Sequence, residues 1–98
     1  MTDRLIDEFI EKWLHFSAQI REKDGLNEAW YAELIGLLEQ IKLGLEGGDE
    51  VPKKLAEIFV DLWGAMTSSA DMYDSDMRRR IYEAADRLSY HARNICAS

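Results

Sequence analysis

The stretch that decides the fold is WYAELIGLLEQIKLGL, residues 30–45. Laid on a helix at about 100° per residue, it gathers Leu37, Trp30, Ile41, Leu34, Leu45, Leu38, Tyr31 and Ile35 into one broad apolar stripe. A face this wide needs at least two neighbouring helices to cover it, which predicts a helix at the centre of a bundle. The same helix carries a weakly polar strip of Ala29, Ala32, Gly36 and Leu43, bordered by Glu39 on one side and Glu33 and Gln40 on the other. Small residues there would permit close contact with a second copy, so these four positions are the candidates for self-association.

Three further amphipathic segments surround this one. Upstream, Leu5, Ile6, Phe9, Ile10, Trp13, Phe16, Ser17 and Ile20 share a face of a helix expected from about Asp3 to Lys23, with Thr2 as N-cap and Gly25 as its stop. Asn27 is placed to cap the second helix, Glu28 to Glu46, which Gly47 and Gly48 end. Short links predict that helices 1 and 2, and likewise 2 and 3, are antiparallel neighbours. Asp49 is the expected third N-cap, with Pro52 in the first turn, where a missing N–H costs nothing. Helix 3 presents Leu55, Ile58, Phe59, Leu62, Trp63, Met66 and Ala70.

The segment 68–75 loses helical periodicity but keeps Met72 and Tyr73 among acids. Helix 4 then begins near Asp76, capped by Asp74 or Ser75, and runs to about Ile95 on a narrow stripe of Met77, Ile81, Ala84, Ala85, Leu88, Ala92 and Ile95. The expected fold is all-α, an antiparallel up-down four-helix bundle of one domain, packed through Trp13, Phe9, Leu34, Ile41, Phe59, Trp63 and Leu88.

Composition narrows the functional classes. The 98 residues are 47% apolar and 32% charged, a globular balance. Cys96 is the single cysteine, so no disulfide framework is expected and a reducing cytoplasm is the default compartment. No apolar run approaches the ~20 residues of a membrane span. A net charge of −7 opposes general binding to phosphate backbones or anionic lipid. The excess is uneven: residues 1–70 hold fourteen acids against seven bases, whereas residues 71–98 hold five of each. The last helix is the only locally basic element.

Motifs for chemistry are sparse. Glu11 and His15 lie one helical turn apart, but they face away from the core with no third ligand nearby, so neither a metal nor a cofactor is expected. No phosphate-cradling glycine loop is present, and Cys96 sits at a helix C-terminus, where the dipole disfavours a thiolate. Asp74-Ser75 resembles the start of the Asp-Ser-Leu attachment site of acyl carrier proteins; Asp76 replaces the leucine, and the serine opens the last helix, so it reads as a cap. Catalysis would need polar side chains aimed inward from several helices, and the core faces supply almost none.

The arginines of helix 4 are the sharper signal. Arg80, Arg87 and His91 line one edge, and Arg79 and Tyr90 lie outward. Exposed tyrosine with arginine is a composition favoured at protein interfaces. The expected function is therefore a non-catalytic interaction module, a small acidic regulator, inhibitor or immunity-type protein. Tyr90, Arg79, Arg80, Arg87, His91, Tyr73 and Met72 would be its contact residues. The acids of helices 1 to 3 would steer a basic partner protein. Self-association, an enzyme with its site in a dimer cleft, and nucleic-acid contact through helix 4 are the alternatives.

Overall fold

Local chemistry sets the ends of each helix in the computed structural model, which describes residues 2–48 and 50–97. The first helix, α1, spans Thr2–Arg21. Thr2 is thus its first helical residue and not its N-cap. The chain turns after α1 through Lys23 (φ 64°) and Gly25 (φ 84°), and left-handed backbone at Gly25 needs no Cβ relief. Asn27 caps α2 (Glu28–Leu45) as expected, its side-chain oxygen accepting from the Trp30 N–H at 3.1 Å. Gly47, at φ 84°, turns the chain out of α2.

Helix α3 covers Lys53–Thr67 with Pro52 at its N-cap position. The Pro52 carbonyl accepts from the amides of Leu55 and Ala56, so proline precedes the helix and does not sit in its first turn. The expected cap, Asp49, lies outside the described residues. A single 3-10 turn, Ala70–Met72, then leads to α4 (Ser75–Ala97). Asp74 caps α4 by accepting from the Met77 N–H at 2.9 Å.

The fold is all-α. Its main packed pairs are α1 with α2, α3 with α4, α2 with α4, and α1 with α3. Lys54 reaches Asp7 at 2.6 Å, joining the starts of α3 and α1, which therefore run parallel. Arg80 pairs with Glu28, joining the starts of α4 and α2 in the same way. Two antiparallel hairpins thus lie side by side. The expectation that α2 and α3 are neighbours is corrected, because they sit across the bundle's diagonal. Interaxial spacings of about 8–10 Å put diagonal helices roughly 14 Å apart, within reach of a seven-residue link that extends to about 23 Å.

The interior is filled by Ile6, Phe9, Phe16 and Ile20 of α1, Leu34, Leu38 and Ile41 of α2, Leu55, Leu62 and Met66 of α3, and Ile81 and Leu88 of α4. Ser17 and Thr67 are the buried polar residues among those described. Each satisfies its hydroxyl on its own helix, donating to the Leu14 and Trp63 carbonyls. Trp13 meets the expectation of burial, and the other tryptophans depart from it. Trp13 is buried, Trp30 and Phe59 are half-buried, and Trp63 is 45% exposed. An indole N–H taken into an apolar core needs a partner. Trp63 finds one at the edge, donating to Asp86 Oδ1 at 2.9 Å with its ring edge-on to Tyr82.

Candidate interaction groove

Because α2 and α4 run parallel, the two helices advance together along one seam, from Glu28 beside Arg80 to Lys42 beside Asn94. Tyr31 of α2 faces Arg87, Tyr90 and His91 of α4 around an open hollow of about 730 Å³. A second hollow of about 370 Å³ continues along the seam between Leu38, Lys42 and Leu43 of α2 and Asn94 of α4. Both are lined by Tyr90 and His91, so these two side chains stand at the centre of one groove. Tyr90 is 55% exposed, and its ring meets the imidazole edge-on at 5.7 Å. Tyr31 is held from beneath, its ring stacked on Phe16 with centroids 6.5 Å apart.

The charges of the groove divide by whether they already have partners. Glu83 accepts from Arg79 at 3.0 Å, and Asp86 is the acceptor for the Trp63 indole. The Glu28–Arg80 pair closes the head of the seam. Arg87, Arg93 and Lys42, and Glu39 and Glu46 at the far end, make no ion pair with any described residue. Burial pushes the Tyr31 phenol up, opposed by the positive charge of Arg87.

His91 is held below the ordinary histidine value of 6.5. Partial burial is the main cause, and Arg87 and Lys42 add to it while Glu39 opposes. A lowered value means that folding favours the neutral imidazole. The resulting stability is present above pH 6.5 and is lost as the pH falls through the folded value. Between about pH 7.5 and about pH 5.5, the melting temperature of the native chain should therefore fall further than that of His91→Gln, which has no imidazole to titrate at that position. Parallel curves would mean that His91 is as well hydrated folded as unfolded.

The contact residues expected from sequence separate into three groups. Tyr90, Arg87 and His91 come together in the groove. Arg80 braces its head, and Arg79 lies outside, shared between Asp76 and Glu83 at 3.0 Å each. Tyr73 and Met72 belong to a different region. The Tyr73 hydroxyl donates to the Ile20 carbonyl at 2.7 Å and accepts from the Gly25 N–H at 3.1 Å, clasping the α1–α2 turn. Met72 is 48% exposed on the 3-10 turn. Sequence reasoning did not place Tyr31 or Lys42 in the site, because only the adjacency of α2 and α4 puts them there; Arg93, one turn from Tyr90 on α4, could have been found by helical spacing.

The self-association strip runs along the outer line of α2, where Ala29, Ala32 and Leu43 are exposed. It is divided between two sides. Leu43 lines the α4 groove, whereas Gly36 borders a shallow cleft toward α1 with Glu8, Lys12 and Glu33. On that side Lys12 pairs with Glu33 at 3.0 Å, and His15 lies edge-on to Trp30. Among the described residues no group of three or more His, Cys, Asp or Glu side chains is arranged to hold a metal ion, and no helix is long and apolar enough to cross a membrane. No family model, curated protein or solved structure matches the chain.

Proposed function

We propose that this chain is a non-catalytic protein-interaction module, a small regulator or inhibitor that occupies a partner protein's surface through the α2–α4 groove. The observation that carries the reading is the position of Tyr90, an exposed aromatic residue in mid-helix that lines both hollows of one groove beside Arg87 and His91. Tyrosine and arginine anchors are enriched among residues that dominate binding energy. The groove is rigid in its floor, since Tyr31 rests on Phe16 and α2 and α4 are tied at their starts by Arg80 and Glu28. A rigid seat lowers the ordering cost of association.

Affinity capture from nuclease-treated lysate, with the native chain and with Tyr90→Ala as paired baits, tests the reading. A partner protein retained by the native bait at moderate salt should bind Tyr90→Ala at least about tenfold more weakly, as expected for an interface anchor. The melting temperature should hardly change, because surface substitutions usually stay within about 0.5 kcal/mol. Equal loss of binding and of thermal stability would make Tyr90 a packing residue and overturn the assignment. Indifference of the captured partner to Tyr90 would move the interface off this groove.

A further inference from the structure

We infer that the partner segment seated in the α2–α4 groove is acidic, its carboxylates meeting Arg87 and Arg93 and an apolar side chain resting between Tyr90 and Leu43. This inference rests on the interaction-module reading and names the chemistry of the partner. The larger hollow contains two carboxylates and two guanidiniums, but they are not equally available. Glu83 is engaged by Arg79, and Asp86 by the Trp63 indole. Arg87 and Arg93 have no hydrogen bond or ion pair with a described residue, and neither do the hydroxyls of Tyr31 and Tyr90. Each carboxylate has one oxygen engaged, whereas Arg87, Arg93 and both phenols keep all of their donors, so the unused donors of this hollow are guanidiniums and phenols. Guanidinium forks pair with carboxylates through two parallel hydrogen bonds, among the stronger contacts that a protein surface can make.

The shape favours a polypeptide segment over a small anion. From Tyr31 to Glu46 the seam extends for about 22 Å at 1.5 Å per residue. Its far end changes character, with Leu38 and Leu43 beside Lys42, Glu39 and Glu46. A segment with acids at one end and an apolar residue one or two turns away matches that gradient. The net charge of −7 works against an acidic partner at long range, and by itself it led to the expectation of a basic one. Screening limits that repulsion to about 8 Å at physiological ionic strength, while contact pairs in a partly enclosed groove are screened much less. Recognition is thus a short-range property of the groove, not steering by the whole molecule.

The test is a displayed library of randomised short peptides, panned on the full chain at physiological salt. Enriched peptides should be acidic and carry an aromatic or aliphatic residue. Their affinity should fall at least about tenfold on the double variant Arg87→Ala, Arg93→Ala. Arg78→Ala, which removes an exposed arginine outside the groove, should leave it unchanged, and melting curves should confirm that all variants fold. Basic or neutral peptides that still require Tyr90 would overturn the inference and leave the interaction-module reading standing. An equal loss with Arg78→Ala would overturn it as general charge attraction. Enrichment of nothing, or only of peptides indifferent to Tyr90, would overturn both.

Discussion

Phe9→Ala should destabilise the bundle by about 3–5 kcal/mol, the usual range for emptying a buried phenylalanine site. The ring is completely buried and meets Phe59 of α3 edge-on, with centroids 6.3 Å apart. It therefore links the two hairpins across α1 and α3. Ile6, Leu55 and Leu62 are themselves fully buried, so filling the space would require the half-buried Phe59 to move inward. A domain of this size has a total stability of about 5–15 kcal/mol, so the loss is a large fraction of the whole. At about 4–8 °C per kcal/mol, the melting temperature should drop by at least about 12 °C, measured by far-ultraviolet circular dichroism. A drop of only a few degrees would mean that α1 and α3 do not pack through this ring.

Tyr73→Phe should produce the second-largest effect, about 1–3 kcal/mol, by deleting a single oxygen. That oxygen serves two backbone groups of the α1–α2 turn, the Ile20 carbonyl and the Gly25 amide. Phenylalanine keeps the ring packing and leaves both groups without a protein partner in a partly buried place. Hydrogen exchange at the Gly25 amide should accelerate together with the loss of stability. If neither changes, water replaces the hydroxyl at no cost and the clasp is ornamental. The contrast with Tyr90 is instructive, because two tyrosines expected to anchor a partner differ in what their hydroxyls already hold.

Several helix ends were readable because capping is local, although Thr2 and Pro52 do not take the roles expected of them. Asn27 and the Trp30 amide are three residues apart, and Gly25 and Gly47 supply the left-handed turns that follow their helices. The composition of α4 was equally readable, since helical spacing alone puts Arg87 and His91 on one edge and Tyr90 on the outward face beside them. What could not be read was the order of helices around the bundle. A link as long as residues 46–52 permits either an adjacent or a diagonal helix, and local sequence does not choose between them. What depends on that order was lost with it, namely Tyr31 and Lys42 opposite α4. Trp63 failed for a related reason. An indole at the border of an apolar stripe can turn in or out, and the carboxylate that draws it outward is on another helix.

The diagonal link has a consequence for how folding and binding are joined. Neither hairpin owns the groove: Tyr31, Lys42 and Leu43 come from the first, and Arg87, Tyr90 and His91 from the second. The site exists only after the halves have docked, so a segment lying along the seam acts as a clamp between them. By mass action, such an occupant opposes separation of the halves as strongly as it prefers the docked state. A substitution deep between the hairpins, far from any contact surface, would then weaken recognition by loosening the joint on which the groove is built.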